Sequence, residues 1–465
     1  MVIIFENKNK GEQLMVKKYI KKITSAISAA VFLTTIILPA NLFAQAKETQ
    51  YFPIPSSRVG PYSAMGTGYY GAQIDYMNYV NATGGVNGVM LTWQECETEY
   101  NAAKTVECYQ RLMTKDGQKM VVFDTLGTPG AYAVINRMAE DKVVLAQYGY
   151  GRTDAADGTV WPWVFNAASS YWSQIAVKLR WMAELDGGGP EKLKGKKIVH
   201  LHIDTAYGRE PLPTMRRLAK EWGFTLVEIA IAPPGLEQQS QWLQIRQEKP
   251  DWVTFWGAGS GMNSTAMTNA ARINFPRTKM MYVTFGGAEE DMIPAGDSSN
   301  GTYVVSNALP GKNYPLIKNI QEKVYKAGKG NMADPKRVGT AYYNRGLGAS
   351  ILWVEALRNA QKMHNKVGKA VTSEEFRAGY EAINLTDARM KELGIEGMLA
   401  SFALSCSQHE GAGKFALMQW DGKAQAFKKV KDWTGPNDPK AIRAQIEESA
   451  AKYAAENKIT PKKCS

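Results

Sequence analysis

Three glycines near the start of the chain have the spacing of a dinucleotide-binding loop. Gly66, Gly68 and Gly71 fit G-x-G-x-x-G, the pattern that brings backbone close to a pyrophosphate. In such a loop the first glycine directly follows a strand, but residues 56–65 separate Gly66 from the apolar run at 51–54. The sequence therefore favours glycines at the entrance of a helix, and we expect no NAD, no FAD and no other cofactor.

Two further groups contain residue types that support catalysis or metal binding in other proteins. The segment 257–261 places Ser260 between two adjacent glycines, whereas a nucleophile elbow needs the serine at the centre of G-x-S-x-G. His200 and His202 alternate along a predicted strand and so share a face, but no third metal ligand accompanies them. We expect no catalytic residue and no metal site, and we predict that the protein is not an enzyme.

The first 46 residues have the features of a cleaved secretory signal. A lysine-rich segment at 17–22 precedes an apolar stretch at 23–39, and Ala44-Gln45-Ala46 offers small residues for cleavage ahead of Lys47. Five serines and threonines interrupt the apolar stretch, which is shorter than the roughly 20 residues of a membrane anchor. We predict export to the periplasm, with Met1 and Met15 as alternative starts.

An exported chain meets an oxidising compartment, where its four cysteines are expected to pair. Cys96, Cys108, Cys406 and Cys464 allow three pairings. We favour Cys96 with Cys108 and Cys406 with Cys464, which close loops of 13 and 59 residues. The lower chain entropy of the unfolded state would then stabilise the fold by roughly 3 and about 4 kcal/mol. The second bridge would hold an otherwise loose tail. The alternatives are four unpaired thiols or a zinc site, and the absence of any C-x-x-C pair disfavours the zinc site.

Composition and charge exclude several classes of protein. With 45% hydrophobic and 22% charged residues, the 465-residue chain is typical of a packed globular protein with two or three domains. Loss of residues 1–46 would lower the net charge from +12 to +8, and no later segment forms a basic stripe. We therefore expect no nucleic-acid partner. No later run of 18 apolar residues occurs either, which predicts no membrane span.

Apolar runs typical of buried strands alternate with helical patterns through most of the chain. The predicted strands lie at 90–93, 121–124, 143–146, 198–204, 252–256, 280–284, 400–404 and 414–420. The predicted helices lie at 70–80, 171–186, 211–222, 262–273 and 341–362. This alternation predicts an α/β fold with parallel sheets, and the glycine-rich stretch at 186–197 separates two series. Since a twisted sheet rarely exceeds about ten strands, we expect two sheets.

Polar and aromatic residues follow several predicted strands, at the edge where open α/β sheets bind ligands. In chain order these residues are Tyr62, Thr128, Tyr148, Tyr150, Arg152, Tyr207 and Trp256. Two sheets that each present such loops would form a cleft between them.

With these motifs the sequence resembles the type I periplasmic solute-binding proteins of ABC importers, the group that includes the leucine/isoleucine/valine-binding protein. The resemblance runs from about residue 53 to residue 420 and is strongest at 60–63, 80–88, 204–208 and 419–422. It implies two Rossmann-like lobes that are joined by three crossovers and enclose a ligand cleft. The first lobe would comprise 47–166 and 306–395 and the second 167–305 and 396–433, with 434–465 as a C-terminal extension.

The resemblance also implies a function. A monomer would capture a small polar or carboxylate ligand, such as a branched-chain amino acid, an amide or an aromatic acid, by hinge closure. It would then deliver the ligand to the permease subunits of an ABC importer in the membrane. The alternatives are an exported α/β enzyme and a ligand-sensing subunit of a membrane receptor.

The site residues that the resemblance implies come from both lobes: Tyr62, Thr128, Tyr148, Tyr150, Tyr207, Trp256 and Glu289. Thr128, Tyr148 and Tyr150 would hold the charged head of the ligand, and the other aromatic residues would cover an apolar side chain. Glu289 lies a few positions from the place of an acidic partner for an α-amino group. Whether Glu289 or Arg152 touches the ligand is left open by the sequence.

Overall fold

The first apolar run folds as strand β1 (Thr49–Ser56), which helix α1 (Ser63–Ala82) connects to the parallel strand β2 (Met90–Glu97). Seven of the eight residues of β1 are buried, as expected for a strand covered on both faces. The computed structural model describes residues 47–464, so the predicted signal segment lies outside the described residues.

The three glycines of the G-x-G-x-x-G pattern lie within helix α1 and form no loop. A β-carbon on Gly66 would collide with the carbonyl oxygen of Ser57, and one on Gly71 would collide with the sulfur of Met332. A β-carbon on Gly68 would stand only 2.9 Å from the side chain of Tyr342. The spacing that mimics a dinucleotide site therefore allows close packing around α1.

A three-stranded parallel sheet follows, formed by β3 (Val122–Phe123), β4 (Val144–Ala146) and β5 (Val164–Phe165). Helix α2 (Ala102–Arg111) precedes β3, and helix α3 (Thr128–Val134) begins five residues after β3 ends. This connection places Thr128 beyond the carboxyl end of a buried strand. The strands predicted at 121–124 and 143–146 are confirmed, in shorter form.

Seven strands form the second sheet: β6 (Lys197–Ile203), β7 (Thr225–Ile231), β8 (Trp252–Trp256), β9 (Met280–Tyr282), β10 (Tyr303–Ser306), β11 (Phe415–Asp421) and β12 (Ala426–Thr434). In space their order is β7-β6-β8-β9-β10-β11-β12. The first five are parallel, and β11 and β12 add an antiparallel edge. The α/β class is confirmed, but the prediction of a wholly parallel sheet is wrong at this edge.

Three strands of this sheet are absent from the sequence prediction, namely β7, β10 and β12. β7 and β12 carry exposed or half-buried residues along most of their length. They therefore lack the continuous apolar run by which a buried strand is recognised. β10 has only four residues, too few to stand out from the helical segments that follow it.

The longer helices of the remaining chain are α4 (Tyr171–Leu185), α5 (Leu212–Trp222), α6 (Gln239–Glu248), α7 (Ser260–Arg272), α8 (Ala341–Met363) and α9 (Ser373–Glu381). Shorter helical turns lie at Met138–Asp141, Ala206–Arg209, Glu289–Met292, Pro315–Ile320 and Asp387–Glu392. Four of the predicted helices agree with α4, α5, α7 and α8 to within two residues. Among residues 47–464, none of the helices combines the length and the apolar character that a membrane crossing requires.

We call the smaller parallel sheets with their helices the first lobe and the seven-stranded sheet with its helices the second lobe. The chain passes three times between them. The first two passages follow β5 and β10. Before the third, strand Phe402–Ala403 pairs antiparallel with Asn384–Leu385, and Asp157 forms an isolated bridge with Gln408. The chain therefore stays beside first-lobe elements until about residue 408 and then enters the larger sheet at β11.

The C-terminal extension folds as helix α10 (Pro439–Glu456), which begins after the capping residue Asp438. Its buried residues Ile442, Ile446, Ala450 and Ala454 recur every four positions, so one face of the helix packs against the rest of the protein. The disulfides join Cys96 to Cys108 and Cys406 to Cys464, the pairing that we favoured. The tail is thus a packed helix, and the expectation of a loose segment is wrong.

Candidate functional site

Thr128, at the start of α3, lies against the second lobe. Its Oγ is 3.0 Å from the hydroxyl oxygen of Tyr171, the first residue of α4. The Tyr171 ring lies 5.5 Å from the rings of both Tyr207 and Trp256. The structure thus brings together three of the predicted site residues, one from the first lobe and two from the second, around a tyrosine that the sequence did not point to.

The aromatic residues of the second lobe form a buried group. The hydroxyl of Tyr207 donates to the carbonyl of Gly257 over 3.0 Å, whereas the indole N–H of the buried Trp256 has no partner in the described chain. The ammonium of Lys178 lies 5.0 Å from the Trp256 ring and donates to the carbonyl of Phe255. Because Lys178 is fully buried, its pKa is well below the usual value.

Tyr62 stands at the start of α1, where a loop of the second lobe approaches it. Its ring lies 4.4 Å from that of Tyr100. A β-carbon on Gly259 would be 3.0 Å from Cδ1 of Tyr62 and 2.7 Å from the carbonyl oxygen of Pro61. Gly259 also has a φ of +82°, which side chains disfavour. Tyr62 therefore lies where the two lobes meet.

Tyr148 and Tyr150 are both buried behind this group. The hydroxyl of Tyr150 donates to Asp124 Oδ1 over 2.5 Å, and Asp124 also accepts from Tyr69 and Gln73. Burial outweighs these hydrogen bonds and raises the pKa of Asp124 to about 6. The Tyr150 hydroxyl is thus already engaged, whereas the Tyr148 hydroxyl has no partner in the described chain.

Glu289 caps the helix that faces it across the lobe boundary. Its Oε2 accepts from the backbone N–H of Ala341 over 2.8 Å, at the start of α8. Its neighbour Glu290 accepts from Arg337 Nε over 2.8 Å and from the hydroxyl of Thr340 over 2.9 Å. Burial and the adjacent Glu290 raise the pKa of Glu289 to about 7. A cavity of about 770 Å³ borders these two carboxylates, large enough for a small solute.

Arg345 is the most unusual group near the boundary, and the sequence analysis missed it. The side chain is fully buried, and Nη2 donates to the carbonyl of Gly287 over 3.1 Å and to Ser306 Oγ over 3.3 Å. The guanidinium carbon lies 5.5 Å from the Phe285 ring and 5.4 Å from the Tyr342 ring. The sequence feature that could have pointed to Arg345 is that it is a charged residue in the otherwise uncharged first half of α8.

Arg152, whose contact with the ligand the sequence left open, points elsewhere. It forms a two-pronged ion pair with Asp154, with Nε 2.6 Å from Oδ1 and Nη2 3.0 Å from Oδ2. Its guanidinium carbon also lies 4.7 Å from the Trp161 ring and 4.2 Å from the ring of Tyr453 on α10. Arg152 therefore contacts the C-terminal helix.

The histidines of the described chain are buried and bonded to backbone, except for His364 at the end of α8. His200 Nε2 lies 3.1 Å from the carbonyl oxygen of Gly208, and the rings of His200 and His202 stack 4.9 Å apart. Burial lowers the pKa of both. Within residues 47–464 no cluster of three or more metal-ligating side chains is present.

Comparison with known proteins identifies the family. Residues 51–452 match the model of the periplasmic binding protein family. The chain belongs to this family. A crystal structure from the Pseudomonas fluorescens group, described as an ABC transporter permease, is 38% identical to this periplasmic binding protein, with a TM-score of 0.82. That match covers 90% of this chain and 100% of the other.

More distant structures share the fold of this periplasmic binding protein. A branched-chain amino acid ABC transporter protein from Thermus thermophilus with bound valine is 19% identical, with a TM-score of 0.69, and the match covers 83% of this chain and 97% of that one. A solute-binding protein from R. palustris in complex with benzoate is 17% identical, with a TM-score of 0.63 and coverages of 84% and 98%. None of the curated proteins matches the chain. The expected type I periplasmic binding protein fold is confirmed.

Proposed function

We propose that this periplasmic binding protein is the solute-binding component of an ABC importer, exported through a cleaved signal segment. It captures a small solute between its two lobes and, as a monomer, delivers it to the permease subunits in the membrane. The observation that carries the proposal is the 3.0 Å contact between Thr128 of the first lobe and Tyr171 of the second. A contact of this kind between the lobes is what we expect of a hinge protein that closes around its ligand.

Further contacts join the lobes at the same boundary. The backbone N–H of Thr153 donates to Glu210 Oε2 over 3.2 Å, and the hydroxyl of Tyr342 donates to Asp291 Oδ2 over 2.6 Å. Arg337 pairs with Glu290. Opening the hinge would expose these groups to water, so the closed form is held by polar contacts that a bound solute would reinforce.

The solute that suits this boundary has a carboxylate or similarly polar head and an apolar body. Thr128 and Tyr148 supply hydroxyl donors. Tyr150 does not offer its hydroxyl to the solute, because it donates to Asp124. Tyr62, Tyr207 and Trp256 supply aromatic surface, which favours an apolar or aromatic side chain. Valine and benzoate, which the two distant relatives hold, each combine a carboxylate with an apolar body.

Native mass spectrometry of the protein as purified tests the proposal directly. We expect a co-purifying small molecule, released on denaturation, and its re-addition to the stripped protein should compact the chain in small-angle scattering. It should also stabilise the fold by about 2.7 kcal/mol at 100 Kd. Catalytic turnover of the released molecule, or tight binding without any compaction, would contradict the proposed function.

A further inference from the structure

Arg345 carries a buried charge that forms no ion pair within the described chain. Its side chain is 0% exposed, and Nε and Nη1 have no hydrogen-bond acceptor in the described chain. Its two hydrogen bonds go to a backbone carbonyl and a hydroxyl, both from Nη2. Within residues 47–464 no carboxylate lies within ion-pairing distance of it. A buried cation without a partner is costly, and proteins retain one chiefly where it has a task.

The unused N–H groups of Arg345 lie among other unpaired polar groups. The hydroxyl of Tyr148 has no partner, and it lies against Gly348, one turn beyond Arg345 on α8. Both polar atoms of the Asn307 side chain are also unpaired. Asn307 follows Ser306, which Arg345 contacts, and it packs against Gly149, which follows Tyr148. The unpaired donors of Arg345, Tyr148 and Asn307 therefore come from neighbouring positions in the structure.

The charge of Arg345 also reaches the aromatic residues of both lobes. Burial raises the pKa of Tyr148 and of Tyr207, and the positive charge of Arg345 opposes both shifts. The guanidinium faces the ring of Phe285 from the second lobe. The charge of Arg345 thus acts on one residue of the predicted polar head site and on one residue of the predicted aromatic walls.

The acidic residues whose charges act on Arg345 already accept hydrogen bonds from other donors, although Asp291 Oδ1 has no partner in the described chain. Asp291 Oδ2 accepts from the hydroxyl of Tyr342 and from the backbone N–H of Ala288. Glu289 accepts from the backbone N–H of Ala341. Their charges act on Arg345 at a distance, but neither carboxylate fills the free N–H positions.

We propose that Arg345 is the ion-pair partner of a carboxylate on the solute, with the Tyr148 hydroxyl and the Asn307 amide completing the donor set. A guanidinium binds a planar carboxylate through two parallel N–H donors. This inference rests on the proposed function and deepens it, since it assigns the protein to free acids in preference to their neutral amides.

Calorimetry with acid and amide pairs tests the inference on the wild-type protein. The probes are valine and valinamide, benzoate and benzamide, and butanoate and butanamide, together with the solute that mass spectrometry identifies. We expect at least one acid to bind at least tenfold more tightly than its amide. Arg345→Met should weaken binding of that acid roughly 10- to 150-fold, as loss of a hydrogen bond to a charged group does, and leave the amide within about threefold.

Two controls separate a binding role from a folding role. Arg358→Met changes a partly exposed arginine on the same helix that pairs with Glu355, and it should change neither affinity. Arg345→Met removes an unpaired buried charge, so the Tm of the unliganded protein should not fall. If Arg345→Met does not fold, Tyr148→Phe tests the donor set instead. It should weaken binding of the acid about tenfold and leave binding of the amide unchanged.

The outcomes distinguish the inference from the proposed function. Equal binding of acid and amide by the wild type, or a released solute without an acidic group, would overturn the role of Arg345 while leaving solute binding intact. The role of Arg345 would also be overturned if Arg345→Met lowered the Tm but still bound the acid more tightly than the amide. If no probe binds and no solute is released, the proposed function itself is wrong.

Discussion

The side chains of Thr128 and Tyr171 meet across the lobe boundary, with 3.0 Å between their hydroxyl oxygens. Thr128 opens α3 after a first-lobe strand, and Tyr171 opens α4 after the first crossover. Tyr171 also packs edge-on against Trp256. This single contact therefore connects the predicted head-group site to the predicted aromatic walls.

Replacing Thr128 with alanine should weaken solute binding roughly 10- to 150-fold, because it removes a hydrogen bond to a charged head. Isothermal calorimetry with the identified solute measures the change. Thr83→Ala is the matched control, since the Thr83 hydroxyl bonds only to carbonyls of its own helix. If Thr128→Ala leaves affinity within twofold, the head lies elsewhere, and the cavity beside Glu289 and Glu290 becomes the site to test.

Replacing Trp256 or Tyr207 with alanine should change which side chains the protein accepts. Both rings pack on Tyr171, and their loss removes apolar surface without touching the polar donors. Affinities for a series of carboxylates with different bodies should therefore converge, while the preference for acid over amide persists. Loss of the acid preference with body selectivity intact would contradict this division of roles.

The contribution of Asp291 to the unfolding free energy should fall as the pH rises from about 4 to about 7. Burial raises the pKa of Asp291 to about 7, whereas an unfolded aspartate titrates near 3.9. Between these values the folded state holds a proton that the unfolded state has released. The low-pH stability is therefore lost as the carboxyl ionises.

Asp291→Asn should remove this contribution, so that the variant loses less stability than the wild type between pH 4 and pH 7, as measured by urea midpoints. The variant must be compared with wild type, because burial also raises the pKa of Asp124, Glu210 and Glu289. Asp297→Asn, at an exposed position nearby, is the control. An unchanged slope in Asp291→Asn would show that Asp291 does not titrate in this range.

The mature protein should contain no titratable thiol without reductant, because both cysteine pairs are bridged. Cys464→Ser should loosen the segment 457–464, while α10 keeps its protection through the ion pair of Arg443 with Glu447 and the stacking of Tyr453 on Trp161. Hydrogen exchange measures both regions, with Lys463→Ser as control. A peptide map that joined Cys96 to Cys406, or loss of protection throughout α10, would contradict this account.

The amino-acid sequence by itself determined the elements whose signal is local. Strand β8 was predicted with the same limits that it has in the structure, because a strand buried on both faces is apolar at every position. The cysteine pairing and the order of the site loops were likewise readable. They depend on chain spacing and on the rule that parallel strands end at one edge.

Only the tertiary structure decided which of those residues act together. Tyr171 packs on Trp256, and Arg345 lies over the ring of Phe285, although the members of each pair are far apart in the chain. Tyr150 followed the expected strand, yet its hydroxyl is engaged by Asp124. Helix α10 was taken for a loose tail because six of its nine apolar residues are alanines, which give only a weak signal for burial. Burial and pairing are properties of the packed chain, so no local pattern reveals that Arg345 is buried without a partner.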